Sequence, residues 1–206
     1  MIWRDTTTVR KAIARGHDVI LAPGAFCYLD AYQDDPSLGP EANGAYRPLS
    51  RVYGYRPLAC LSVEERSHIR GIQGCLWTEY VPTPADVERM LLPRLLAIAE
   101  NGWTGGFEKD YASFRQRAVA ECNRLRAQGI QAFDLGAEVG DRPASRQPVW
   151  HKARGAKVIY HRPYNNTYTA GGETALTDGR RGGWDYGAGS AWQGFISRGR
   201  IDLTLD

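Results

Sequence analysis

The sequence predicts an α/β fold, the C-terminal part of a (β/α)8 barrel, followed by an incomplete all-β sandwich. Three observations predict it. From Met1 to about residue 104, short β-prone runs are followed by stretches of helical period, in strand-then-helix order. Residues 136–148 shift in composition toward Gly, Asp, Arg, Pro and Ser without period, a linker signature. From residue 149 onward, short β-prone runs alternate with glycine-containing turn clusters.

Taken in order, Ile2 to Arg4 read as the end of a strand, with Thr6, Thr7 and Thr8 as capping candidates. Val9, Ala12 and Ile13 then follow helical spacing, and Gly16 closes the helix. Val19 to Ala22 is a continuous apolar run, expected of a parallel strand covered on both faces, and it stops at Pro23-Gly24. Phe26 to Pro57 has no sustained period, and loops of that length usually carry function. Ser62 and Glu65 match a capping box, and Ile69 to Trp77 return to strand character. Thr83-Pro84-Ala85-Asp86 opens a helix whose predicted buried face is Val87, Met90, Leu91, Leu95 and Ile98, kinked at Pro93. Asp110 to Gln128 is a further amphipathic helix, with Tyr111, Phe114, Ala118, Cys122 and Leu125 on one face and Gly129 past its end. In the second domain, Lys157 to Tyr160 is β-prone, and the turn clusters are Gly171-Gly172, Asp178-Gly179 and Gly187 to Gly189. A complete barrel takes about 250 residues, whereas roughly 105 are present here, so the reading expects five strands upstream.

Composition excludes several classes. The net charge of +3 arises from 26 basic and 23 acidic residues spread along the 206-residue chain, without the one-sided clusters of a nucleic-acid-binding face. No apolar stretch approaches the roughly 20 residues of a membrane span, and Met-Ile-Trp-Arg-Asp lacks the regions of a signal peptide. Cys27, Cys60, Cys75 and Cys122 have no metal spacing and read as buried thiols, with a disulfide as the alternative. His17, His68, His151 and His161 show no paired spacing, and neither a hydrolase elbow nor a phosphate loop is present. Gly187-x-Gly189 continues to Trp192 where a dinucleotide loop needs glycine. No metal or cofactor is expected. Asn165-Asn166-Thr167 fits a glycosylation acceptor, which matters only in a glycosylating secretory pathway.

On a β/α barrel the working residues sit at the carboxyl ends of strands and in the loops that follow. Tyr28 and Asp30 occupy that position after the Val19 strand, and Trp77 and Glu79 after the strand near Gly74. A spacing of two in a strand-like step sends both side chains of each pair to one side. An indole, a phenol and two carboxylates suit a neutral polyol: the rings cover its apolar face and the carboxylates accept from hydroxyls. The residues alone leave a second reading open, in which Trp77 fills core space and Asp30 and Glu79 cap a loop or pair with arginine.

The string Gly74-Cys75-Leu76-Trp77-Thr78-Glu79-Tyr80, followed by Leu92-Pro93-Arg94-Leu95-Leu96-Ala97-Ile98-Ala99-Glu100 and Trp103, resembles the last strand and helix of family 20 glycoside hydrolases. Upstream, Gly16-His17-Asp18-Val19-Ile20 and Tyr28-Leu29-Asp30 resemble the seventh strand and its loop, and Ile2-Trp3-Arg4 the sixth. The resemblance covers residues 1 to about 104, so it implies strands six to eight of the barrel. Leu176-Thr177-Asp178-Gly179-Arg180-Arg181-Gly182-Gly183-Trp184 and Trp192-Gln193-Gly194-Phe195 resemble the start of the discoidin-like β-sandwich attached to some of these hydrolases. Trp184 and Trp192 read as core or interface residues there.

The resemblance implies a β-N-acetylhexosaminidase that removes terminal β-linked N-acetylglucosamine or N-acetylgalactosamine from glycans or chitooligosaccharides. It implies that Tyr28 donates to the substrate's acetamido carbonyl, that Asp30 and Glu79 hold hydroxyls of the terminal sugar, and that Trp3 and Trp77 wall the pocket. In such enzymes the acetamido oxygen, oriented by an aspartate, attacks the anomeric carbon while a neighbouring glutamate protonates the leaving group. This chain contains no Asp-Glu dipeptide; its look-alikes, Asp34-Asp35 and Glu64-Glu65, read as solvated or capping, and the family's arginine near the first strand is also missing. A general acid contributes about 10²- to 10⁴-fold, so the chain alone is expected to be nearly inactive. The expected organisation is 1–135 for the barrel part with its trailing helix, 136–148 for the linker and 149–206 for the sandwich. A periplasmic or extracellular location is the family-level expectation, and a non-catalytic carbohydrate-binding fragment is the alternative function.

Overall fold

In the first of two compact units, spanning residues 1–43 and 47–138, short strands lie parallel and helices pack beside them. The computed structural model describes residues 1–105, 107, 109–185, 191–195 and 203–205. β1 (Val19–Leu21) pairs with β2 (Ile69–Ile72), with Val19 opposite Ile69 and Leu21 opposite Ile72, and an irregularity after Val19. Ile2 bridges Leu21 on the other edge of β1, also in parallel. The spatial order is therefore Ile2, β1, β2, as consecutive β/α units require. The expected leading strand is reduced to that bridge: Ile2 donates to Ile20 O at 2.9 Å and accepts from Ala22 N at 2.8 Å.

Local chemistry accounts for most helix starts. α1 (Thr6–Ile13) is capped by Asp5, whose carboxylate accepts from Thr8 N, so the threonines lie inside the helix and are not its cap. α2 (Gly24–Cys27) follows β1, α3 (Leu49–Tyr53) is a short helix inside the stretch Phe26 to Pro57 that was expected to be aperiodic, and α4 (Val63–Arg66) follows that stretch. α4 carries both halves of the predicted capping box between Ser62 and Glu65. α5 (Pro84–Leu91) starts on the Thr83 cap with Pro84 in its first turn.

Pro93 ends this helix where a kink was expected. Leu92 turns extended and a separate helix, α6 (Arg94–Thr104), begins after Pro93, which has no N–H to continue the ladder. The break shifts the register. Leu95, expected inside, is exposed, and Arg94 is fully buried instead. α7 (Tyr111–Ala127) runs as predicted from the Asp110 cap and buries Phe114, Ala118 and Cys122. It lies against α6, where Arg117 holds Glu100 through two hydrogen bonds of 2.6 and 2.9 Å.

Two apolar clusters flank the sheet. Val19 and Leu21 pack with Val9 and Leu61, while Ala22, Cys27, Leu29, Leu49, Val52, Ala97, Ile98 and Phe114 form the larger core. Fully burying one such aliphatic side chain stabilises by about 1.5–3 kcal/mol. The expectation that β1 is covered on both faces fails at Ile20, which is 39% exposed. Val19 and Leu21 pack with Val9 of α1, and the alternate residue, Ile20, points to the opposite face of the sheet. The reading of four buried cysteines also fails at one position. Cys60 lies exposed in the turn before Leu61, the other three are buried, and all four are free.

The second unit comprises residues 44–46 and 139–206. β3 (Val158–Tyr160) pairs antiparallel with β4 (Leu203–Leu205), Val158 opposite Leu205, and Thr169 bridges Gln193. Trp192 donates its indole N–H to Gly183 O at 2.9 Å and Trp184 donates to Gly140 O at 3.1 Å, so both rings are half-buried with their polar edge satisfied. Thr177, nearly fully buried, donates to Ala156 O at 2.9 Å. Gly187 to Gly189, read as a turn cluster, lie outside the described residues.

Candidate functional site

The parallel pairing continues past the strands and brings their loops together. Leu29 donates to Cys75 O at 2.6 Å, Cys75 donates to Cys27 O at 2.8 Å, and Tyr28 bridges Cys75 in parallel. Tyr28 and the Trp77 segment are thereby side by side. On the other flank, Gly24 donates to Trp3 O at 2.9 Å, and the Trp3 and Tyr28 rings lie 6.4 Å apart at 41°. Trp3 and Trp77 are 46% and 54% exposed, so neither fills the core, and Arg4 stacks on the outer face of Trp3 at 4.6 Å.

Tyr28 is the centre of this group. Burial pushes its phenol above the ordinary value, the Cys75 thiol adds to the shift, the Trp77 indole lowers it and the Asp30 charge raises it. The phenol is therefore a neutral O–H donor at neutral pH.

Asp30 is the buried carboxylate of the site, at 8% exposure. Its Oδ2 accepts from Asn43 Nδ2 at 2.5 Å, and its Oδ1 is buried without a hydrogen-bond partner among the described residues. An unpaired buried carboxylate oxygen forfeits about 1–3 kcal/mol relative to one that is bonded, so the site is incomplete without a donor there.

The loop around Asp30 is held from below by Arg94. Its guanidinium donates to Leu29 O at 2.5 Å and to Ala31 O at 2.9 Å, the carbonyls on either side of Asp30. It also donates to Met90 O at 2.6 Å and Arg47 O at 3.2 Å. Burial, with a smaller push from Arg47 and against an opposing pull from Asp30, lowers its pKa to about 9, so it stays charged at neutral pH. Among the described residues, only main-chain oxygens receive its hydrogen bonds.

Of the five predicted residues, the structure joins Trp3, Tyr28, Asp30 and Trp77. Glu79 is exposed in the turn after Trp77 and makes no hydrogen bond or ion pair among the described residues. The chain has left strand geometry by that point, so the two-residue alternation that was expected to align it with Trp77 no longer applies. Asp34, expected to be solvated, is buried, whereas Asp35 caps a 3-10 turn by accepting from Ser37 N. Sequence reasoning missed Asn43 and the role of Arg94. A lone charge within the apolar run Leu91 to Leu96 was the available signal for Arg94; Asn43 in an aperiodic loop offered none. Among the described residues no group of three His, Cys, Asp or Glu side chains could hold a metal ion, and no helix is long and apolar enough to cross a membrane.

Parallel strand ends that gather indoles, a phenol and a buried carboxylate at one mouth belong to the class of β/α proteins that act on small polar ligands such as sugars. Comparison with known proteins narrows the class to a family. Residues 1–106 match the glycosyl hydrolase family 20 catalytic domain, and the chain belongs to that family. It is 42% identical over 132 residues to a beta-hexosaminidase of Porphyromonas gingivalis, covering 63% of this chain and 17% of that protein. Among solved structures it is similar to the GH20 exo-β-N-acetylglucosaminidase of Vibrio harveyi in complex with N-acetylglucosamine, with a TM-score of 0.55 and 33% identity over 63% of this chain and 21% of that one. It is also similar to the Streptomyces coelicolor A3(2) β-N-acetylhexosaminidase, with a TM-score of 0.54 and 25% identity over 65% of this chain and 27% of that one. The chain thus spans about a fifth of the length of the first relatives it matches.

Proposed function

We propose that this chain supplies strands six to eight of a β-N-acetylhexosaminidase barrel and, with them, one side of its sugar pocket. Trp3 and Trp77 wall the pocket, Tyr28 donates to the acetamido carbonyl, and Asp30 and Glu79 accept from hydroxyls of a terminal N-acetylglucosamine or N-acetylgalactosamine. Trapping the acetamido oxygen against a neutral phenol orients it as the internal nucleophile of a substrate-assisted, retaining hydrolysis. The aspartate that orients that group and the glutamate that protonates the leaving oxygen come from outside these residues, since no Asp-Glu dipeptide occurs here. Residues 1–135 are assigned to the barrel part and 136–148 to a linker. Residues 149–206 are assigned to the start of a discoidin-like β-sandwich, a reading supported by the antiparallel β3–β4 pair. The protein is assigned to the periplasm or extracellular space, where glycans and chitooligosaccharides are met.

The observation that carries this reading is the buried, unpartnered Oδ1 of Asp30 beside Tyr28 and two exposed indoles. The test is titration of the purified chain with N-acetylglucosamine followed by NMR, alongside a 4-nitrophenyl β-N-acetylglucosaminide assay. Saturable binding that weakens in both Tyr28→Phe and Asp30→Asn, without turnover, is the expected result. Absence of binding, or binding indifferent to both substitutions, overturns the reading.

A further inference from the structure

Asp30 is bonded by a residue outside the strings that carry the family resemblance. Its carboxylate sits on a terminal torsion that is intrinsically broad and two-fold, so the backbone alone does not decide which oxygen faces the pocket or in which plane. Among the described residues the one side chain that bonds it is Asn43, thirteen positions along the same loop, with Nδ2 at 2.5 Å from Oδ2. The acceptor is a carboxylate, so the NH2 side of the amide must face it. The two residues meet a second time through their backbones, where Asn43 N donates to Asp30 O at 3.5 Å. The loop that carries Asn43 is itself anchored, since Arg47 donates to Tyr32 O at 2.7 Å and Arg94 donates to Arg47 O at 3.2 Å. Asn43 is exposed, so it contributes little to the core.

We infer that Asn43 is a positioning residue for sugar recognition: by occupying Oδ2 it fixes Oδ1 of Asp30 as the acceptor for one hydroxyl of the bound N-acetylhexosamine. The inference rests on the sugar-pocket reading above. Charge-assisted hydrogen bonds are short and directional, and an acceptor held in one plane loses less freedom when a ligand arrives. Once Asn43 is removed, Oδ2 loses its donor, the carboxylate is free to turn about its terminal torsion, and Oδ1 is held toward the sugar hydroxyl less of the time.

The experiment compares the 206-residue chain with Asn43→Ala and with Asn43→Asp, which sets a second carboxylate against the first. N-acetylglucosamine affinity and the Asp30 carboxyl ¹³C resonance are followed by NMR, and folding is checked by thermal unfolding. Asn43→Ala is expected to unfold at the parent temperature, to bind the sugar about ten-fold more weakly and to shift the Asp30 resonance; Asn43→Asp binds more weakly still. In the Asp30→Asn background, Asn43→Ala is expected to have no further effect on affinity, an outcome that a purely structural role for Asn43 would not give. If the parent chain binds the sugar and Asn43→Ala binds it equally well, the inference is wrong. If the parent chain does not bind at all, the sugar-pocket reading fails, and the Asp30 resonance decides the positioning claim by itself: unchanged on Asn43→Ala, it overturns that claim too.

Discussion

Replacing Arg94 by methionine tests the buried framework under the site most directly. Methionine keeps much of the side-chain volume, so the loss is electrostatic. Arg94 is fully buried and donates to the carbonyls of Leu29, Ala31, Met90 and Arg47. When a buried ion pair is replaced by apolar residues, both charges disappear and stability can be unchanged or even rise. Here the acceptors are main-chain oxygens that remain in place after the substitution, each left without its donor at about 1–3 kcal/mol. Part of that loss is offset because a cation no longer has to be kept out of water. We expect Arg94→Met to cost about 3 kcal/mol, and Arg94→Lys about half as much, because an ammonium retains the charge but not the planar fork. Urea unfolding followed by tryptophan fluorescence reads this as a fall in midpoint of about 1–3 M at unchanged slope. A midpoint for Arg94→Met within error of the parent would refute the claim that these carbonyls depend on the guanidinium.

Three further outcomes follow from the geometry. Gly105 ends α6 at φ +64°, and an added Cβ would lie 3.1–3.2 Å from Phe107 and Leu58; Gly105→Ala should cost about 1–2 kcal/mol in thermal unfolding, and an unchanged midpoint would argue against this cap. The Glu100 carboxyl is held below the ordinary value of 4.5 chiefly by its hydrogen bonds from Arg117, so its contribution to stability is present above that value and is lost as the pH falls through its folded-state value. Glu100→Gln should therefore flatten the acid limb of the stability curve, and a limb as steep as the parent's would contradict the assignment. Cys60 is the one exposed thiol, whereas burial pushes Cys27 up to about 12 and Cys122 to about 11, so a disulfide reagent should titrate one thiol quickly in the native chain; two or more fast thiols would mean the core is open.

The parts of the fold that were legible in the sequence are those specified by neighbours a few residues apart. The Ser62–Glu65 box, the Thr83-Pro84 start and the α7 face from Tyr111 to Leu125 were all readable, because capping and helical period are local. Beyond Pro93 helical periodicity placed Ile98 inside correctly but also placed Leu95 there, where Arg94 is buried instead. The reason is that a charge goes inside only if distant carbonyls receive it, and Leu29 and Ala31 lie more than sixty positions away. Ile20 was misjudged for a related reason: coverage of a strand depends on what packs over it, not on its own apolarity. At the candidate site, strand-end logic and family resemblance together picked out Trp3, Tyr28, Asp30 and Trp77. Asn43 could not be found that way, since a thirteen-residue loop contact leaves no periodic trace.

The choice of acceptors by Arg94 has a consequence for how this pocket can change over generations. A side-chain partner can be lost by one nucleotide change, but a peptide carbonyl is present whatever residue occupies the position. The hydrogen bonds by which Arg94 holds the Tyr28–Ala31 segment are thereby independent of which side chains stand at residues 29, 31, 47 and 90, since those residues supply peptide oxygens to it. Exposed side chains of the surrounding loop can be exchanged while the backbone that presents Asp30 stays where it is; Asn43, which bonds the Asp30 carboxylate itself, is not among them. Ligand preference can then be retuned by single substitutions on a frame that does not have to be rebuilt each time.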